Sequence, residues 1–246
     1  MRNQKKSKIG TLLLSNRLVQ ISEILLLFIV AITIIKLSEP SVKDNLILKQ
    51  ASVWVANIAM LVLVWLGIKL RGETWKDFGF SFQSITPKEG LKVFLWSLLV
   101  FILAMAGFVI GSIIMANITG IPDGSADMSG YDYLKNNIGM LILTLIGVYI
   151  VSSFGEEVIY RGFLINRISQ IGMSTKKAQW VAVILSSLIF GFAHYEWGPM
   201  GVGQTTFMGL ALGICYLKLK KRLWILILAH AYMDTILMLQ MYMASN

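Results

Sequence analysis

Seven apolar runs, separated by short polar and basic stretches, organise the chain. They cover residues 19–37, 51–68, 91–116, 138–160, 178–195, 200–217 and 223–243. Each is near the ~20 residues that a helix needs to cross a ~30 Å hydrocarbon core. The runs are continuously apolar, which predicts helices; a membrane barrel would alternate with period two. A helix also bonds its own backbone polar groups, as lipid demands. The expected fold class is therefore all-α, a polytopic integral membrane protein with about seven transmembrane helices. The longest polar loops, 69–90 and 117–137, are too short to fold alone. One integral membrane domain is expected, with spans 1–3 and their loops in 1–137 and the chemistry in the helices of the C-terminal half, 138–246.

Composition sharpens this. Of 246 residues, 56% are hydrophobic and 14% charged, against roughly 25% charged in a soluble domain. That excludes a soluble globular enzyme, and also a disordered chain. The net charge of +9 does not imply a nucleic-acid partner, because the basic residues are sorted by side. Eighteen of the 22 Lys and Arg fall in 1–20, 69–92, 161–177 and 218–222, leaving Lys36, Lys43, Lys49 and Lys135 on the other side. By the positive-inside rule the N-terminus is cytoplasmic and the C-terminus outside. The outer loop 117–137 adds Asp123, Asp127 and Asp132. Arg17 interrupts the apolar stretch that follows the basic start, which reads as an uncleaved first span and not as a signal peptide. The single cysteine, Cys215, excludes an internal disulfide and a Cys-rich metal site. Gly107 with Gly111, and Gly209 with Gly213, make GxxxG spacings that let helices approach closely in lipid. Trp96, Trp180 and Trp224 lie near span ends and read as interfacial anchors.

The informative residues are polar ones inside spans, each costing roughly 2.5–3.5 kcal/mol to insert. They are Glu23, Glu156, Glu157 and Asp234, with both histidines of the chain, His194 and His230. Glu23 is one turn from a cytoplasmic end and reads as reaching water. In Phe154-Gly155-Glu156-Glu157-Val158-Ile159-Tyr160-Arg161, Glu157 and Arg161 are four apart and share a helical face. Arg161 can neutralise Glu157, while Glu156, turned about 100° away, is free to face another helix. His194 ends the uncharged run from Val181 to Ala193. Positions 156 and 194 are each 19 residues from position 175, so an antiparallel hairpin would hold them at similar depth. That requires the helix of Glu156 to continue toward residue 170; hydropathy alone would place the two near opposite edges. His230 and Asp234 share a face at i,i+4, with His230 roughly 12 Å past Arg222 along a helix.

Carboxylates and imidazoles together allow two chemistries. They can take a proton from water, or bind a divalent metal that acidifies it. Glu156, His194 and His230 could supply the three ligands of a catalytic zinc. Either route gives hydrolysis. Ser152 and Ser153 lie near Glu156 without a G-x-S-x-G context, and no HExxH occurs.

Glu156-Glu157-x-x-x-Arg161, Phe190-x-x-x-His194 and His230-x-x-x-Asp234 together resemble the three ordered motifs of the CPBP family. These are the type II CAAX prenyl endopeptidases and the Abi proteins of bacteriocin processing and self-immunity. The resemblance covers roughly residues 138–240. It implies an intramembrane endopeptidase in which Glu156 and His194 activate water. Glu157, Arg161 and Phe190 would support the motifs, Glu157 also sharing in catalysis, and His230 would position water or stabilise an oxyanion. The family's third motif more often ends in Asn; Asp234 departs from it. An ionised Asp cannot donate to an oxyanion, so Asp234 would be protonated or would orient His230. The expected protein is a multi-pass endopeptidase of a bacterial plasma membrane, acting on a peptide or membrane protein in exported-peptide maturation or bacteriocin immunity, with zinc as the one cofactor in view. Two other readings keep the same residues: a non-catalytic immunity or interaction protein, and a proton pathway or transporter, against which the lack of an internal repeat counts.

Overall fold

In the computed structural model, residues 7–80, 86–120 and 129–244 are described, and every regular element among them is helical. In chain order the helices are α1 (Lys8–Ser15), α2 (Arg17–Val42), α3 (Leu46–Arg71), α4 (Pro87–Thr119), α5 (Ile138–Val148), α6 (Asn166–Ile171), α7 (Lys176–Phe192), α8 (Gly198–Lys218) and α9 (Leu223–Met243). A π-helical segment, Tyr149–Ile165, joins α5 to α6, making Ile138–Ile171 one rod of 34 residues. Short 3-10 turns occupy Trp75–Phe78, Ser129–Leu134 and Tyr195–Trp197. Asp123 and Asp127 of the outer loop lie outside the described residues.

The helix starts follow from local chemistry. Ser7, Asn16, Asn45, Thr86, Asn137 and Thr175 each turn a side-chain oxygen onto a backbone N–H of the first turn, satisfying donors that would otherwise have no partner. Pro87 follows Thr86 at the first position of α4, where its missing N–H costs nothing. Gly72 ends α3 in the left-handed region, at φ 68°, a conformation open to glycine without a steric penalty.

Each of the seven apolar runs is a helix, and six helical stretches are long and apolar enough to cross a membrane. The exception is α7, whose 17 residues extend only about 26 Å at 1.5 Å per residue. The fourth run extends well beyond residue 160, to Ile171. The outward surface is lined with apolar side chains such as Leu18, Leu37, Ile102, Ile113 and Leu143. Water does not solvate such a belt cheaply, whereas hydrocarbon does. The chain is an all-α, multi-pass membrane protein.

The core centres on the rod, where Val158, Ile159, Leu164, Val183, Leu212, Tyr216 and Leu226 are wholly buried. Around it α2 pairs with α3, α4 lies along α8 and α9, and α7 lies against α8. Gly107 and Gly111 bring α4 onto α8: a Cβ at Gly111 would stand 2.7 Å from the Gly203 carbonyl oxygen, and one at Gly107 2.6 Å from that of Phe207. The loops richest in Lys and Arg meet at one end of the bundle. There Arg167 binds Glu73 at 2.9 Å, Arg222 binds Glu89 at 2.5 Å, and Lys221 reaches Asn166 at 2.5 Å. At the opposite end Lys49 pairs with Glu196 at 3.3 Å.

Two expectations change. Glu23 does not simply reach water; it pairs with Arg71 of α3, whose side chain is wholly buried, and so neutralises a cation that lipid and protein would otherwise exclude. Trp224 is not a free interfacial anchor, because its ring packs on Phe80 at 5.2 Å and Phe154 at 6.4 Å. The aromatic turn after α3 reaches back to α9 and takes up its face.

Gly111→Leu should separate α4 from α8, since the obstructing atom is backbone, and should cost about 1–3 kcal/mol. Gly130→Ala, where a Cβ meets nothing within 4 Å, should leave stability unchanged. Thermal unfolding of the detergent-solubilised protein checks both.

Candidate active site

The rod and α9 run antiparallel, and their polar residues face one another. Glu157 is wholly buried. Its Oε1 accepts from Arg161 Nη1 at 2.7 Å and lies 2.9 Å from His230 Nδ1. The i,i+4 pairing of Glu157 with Arg161 is thus in place. Arg161, also buried, lays its guanidinium on the Phe190 ring, 4.4 Å from the centroid. Its Nη2 points to the Gly209 carbonyl at 3.5 Å. A Cβ at Gly209 would stand 3.0 Å from Phe190 and 3.4 Å from Arg161 Nη2, so α8 needs its small residue here. Removing a cation from water is costly unless it is paired and hydrogen-bonded; Arg161 has a carboxylate, a carbonyl and an aromatic face.

Glu157 also orients the imidazole. A carboxylate accepts from Nδ1–H, which leaves Nε2 of His230 to face the opposite way. Two carboxylate oxygens stand 3.9 Å from that Nε2: Glu156 Oε2 and Asp234 Oδ1. Such a spacing is too long for a direct hydrogen bond, yet a single water can reach both ends of it. Glu156 Oε2 is buried with no hydrogen-bond partner, as is Glu157 Oε2; it is the Glu156 oxygen that faces His230 Nε2, where a donor from outside the protein can satisfy it. Asp234 Oδ2 accepts from the Ser153 hydroxyl at 2.6 Å.

His194 is placed differently. The rod does continue to Ile171, as the hairpin of matched depth requires. However, α7 stops at Phe192, and the His194 N–H closes a tighter turn onto Gly191 at 3.0 Å. His194 therefore lies on the turn, and its Nδ1 meets the Phe190 carbonyl at 2.8 Å. A carbonyl only accepts, so the proton is on Nδ1 and Nε2 is left to the surroundings. The rings of Phe190 and Trp197 flank His194 at 4.8 and 4.9 Å, and Phe190 also packs edge-on to His230 at 6.3 Å. Among the described residues, no ion pair joins His194 to Glu156. The structure gathers Glu156, Glu157, Arg161, His230 and Asp234 directly, and joins His194 to them through Phe190.

Zinc needs three protein ligands and an open position. Among the described residues no three His, Cys, Asp or Glu side chains group at ligating spacing. Glu156 and His230 approach one another, and His194 keeps Nε2 free, but the three do not converge at ligating spacing. The donor set as placed does not fit a three-ligand zinc.

Two features were not anticipated. One is Ser153, met in the sequence only as an unsuitable nucleophile. The signal was present: Ser153 and Glu157 are four apart, as are His230 and Asp234. The other is a groove of about 300 Å³ between α4 and α9, lined by Leu98, Phe101, Tyr232, Thr235 and Ile236. Three of these lie within two residues of Asp234 on α9. Beyond the site, Tyr131 sits in the turn that packs on α5 and α9, and burial pushes its phenol up to about 12.

Residues 138–236, which contain all three motifs, match the family model described as type II CAAX prenyl endopeptidase Rce1-like. Over these residues the chain is similar to that family. The matched segment begins with α5 and ends within α9, so the similarity falls on the part of the bundle that builds the site. The family is one of proteases. No curated protein and no solved structure matches the chain.

Arg161→Met should leave Glu157 as a buried, half-partnered carboxylate and cost about 3–5 kcal/mol, read as a large loss of thermal stability in detergent. Arg161→Lys, which keeps the charge but not the planar fork on Phe190, should fall between the two.

Proposed function

We propose that this protein is an intramembrane endopeptidase whose attacking water sits between Glu156 Oε2 and His230 Nε2. The observation that carries this reading is the buried, unpartnered Oε2 of Glu156 at 3.9 Å from His230 Nε2. Glu156 is the general base: it takes one water proton as the oxygen attacks the scissile carbonyl carbon. His230, held by Glu157 at Nδ1, fixes the water's other hydrogen through Nε2. Collapse of the tetrahedral intermediate breaks the C–N bond, and Glu156 returns its proton to the leaving nitrogen. Asp234 faces the same Nε2 at 3.9 Å and closes that side of the site. His194, one ring away across Phe190, is positioned to meet the substrate carbonyl region as the chain enters.

The basic end of the bundle faces the cytoplasm of a bacterial plasma membrane in this reading. The apolar groove between α4 and α9 gives a membrane-bound substrate a lateral approach to the α9 side of the site. The substrate is a peptide or membrane protein, in peptide maturation or bacteriocin immunity.

Glu156→Gln keeps the shape of the side chain and removes the base. In cells carrying this variant, membrane peptides released by the wild type should disappear. The rate on any such peptide should fall by at least a hundredfold with insertion unchanged. A fully active Gln variant sinks the assignment. Protection against a bacteriocin that survives the substitution would instead favour the non-catalytic immunity reading. Cleavage by the wild type should persist after exhaustive chelation, because the proposed water is held by protein groups; its loss and recovery with added zinc would overturn that part.

A further inference from the structure

Two rungs join the rod to α9. On one, Glu157 holds His230; on the other, Ser153 holds Asp234, with its hydroxyl donating to Oδ2 at 2.6 Å. Going from the first rung to the second moves four residues back along the rod and four on along α9. Antiparallel helices bring such positions opposite each other, so both contacts belong to one register. Ser153 is wholly buried, which removes water as a substitute donor. Among the described residues the hydroxyl bonds to Asp234, and its burial leaves no room for a substrate carbonyl to approach, so it is not placed as a nucleophile.

Asp234 has two oxygens with different tasks. Oδ2 is taken by Ser153; Oδ1 faces His230 Nε2 at 3.9 Å, the same distance as Glu156 Oε2 from that nitrogen. A free carboxyl group could rotate about its last bond and turn its plane away from His230, since that torsion is broad. One strong hydrogen bond to a charged acceptor prevents it. We propose that Ser153 is a positioning residue of the water-activating centre, fixing Asp234 so that Oδ1 opposes His230 Nε2. This rests on the hydrolytic reading of the site. It also makes the chain tolerant of either Asp or Asn at position 234. An amide there would give its oxygen to Ser153 and so turn its NH₂ toward His230. Ser152 neighbours both Asp234 and Glu156, but the second rung belongs to Ser153.

The chain has two histidines, which makes a substrate-free test available. The full-length protein, labelled with ¹⁵N-histidine and held in lipid nanodiscs, should give ring signals for His194 and His230, assigned with His194→Gln. Ser153→Ala should move the His230 Nε2 signal clear of its line width, as should Asp234→Ala. The double variant should match Asp234→Ala alone, because Ser153 acts only through Asp234. In an Asp234→Asn background, Ser153→Ala should again move the signal. Ser153→Cys keeps the volume with a weak donor and should move it in the same direction by less, which serves where the Ala variant does not fold. An unmoved His230 signal in Ser153→Ala or Ser153→Cys, or shifts that add in the double variant, overturns the proposal. The spectrum needs no cleavage, so an active Glu156→Gln variant would remove the proteolytic reading and leave this result standing on its own.

Discussion

The neutralisation of Arg161 by Glu157 is the constraint around which the C-terminal half is built. Both side chains are inside the bundle, where an unpaired charge would be prohibitive. Most polar atoms around them are answered by a specific neighbour, although Glu157 Oε2, like Glu156 Oε2, has no hydrogen-bond partner. The guanidinium takes the Gly209 carbonyl and the Phe190 face. Glu157 Oε1 is shared with His230 Nδ1. One ion pair thus fixes the rod against α8, α7 and α9 together. The glycine at 209 is part of that arrangement, since α8 must come close enough for its backbone to serve as a ligand.

Phe190 is the second consequence. It is wholly buried and touches Tyr160, Arg161, His194 and His230, while its carbonyl takes the His194 ring. A hydrophobic residue four before a histidine reads, in sequence, as a helical neighbour. Here the ring fills the space between two imidazoles and the main chain sets the tautomer of one. Both parts of one residue therefore act on the site, and a smaller side chain would leave His194 with its hydrogen bond but without a wall.

Much of this was legible because lipid penalises polar groups so heavily. Glu156, Glu157, His230 and Asp234 stand out against apolar runs, and i,i+4 spacing pairs them correctly with Arg161 and with each other. What sequence could not give was contact across helices. Ser153 has no charge to mark it, and Arg71 sits at a span end where a cation normally reaches water. The π-helical winding from Tyr149 to Ile165 has no periodicity signal that separates it from an α-helix, although such turns gather at functional sites. His194 shows the opposite failure. Its depth beside Glu156 requires the rod to continue toward residue 170, which it does, but α7 ends at Phe192, so the ring is held by a turn that no periodicity marks.

The adjacent glutamates show how one short segment produces two different carboxylates. Side by side in a span, both could not be left charged and unpaired, because each would add to the other's burden. The winding of the rod sends them to different partners. Glu157 is enclosed by Arg161 and His230 and has no freedom to take part in bond making without breaking the core. Each keeps one buried oxygen without a hydrogen-bond partner, but that of Glu156 stands 3.9 Å from an imidazole nitrogen, beyond direct reach. A solvent molecule between that oxygen and the imidazole would supply the missing donor. The division follows from where Arg161 falls: four residues after Glu157 it serves that carboxylate, and its neighbour is left for water.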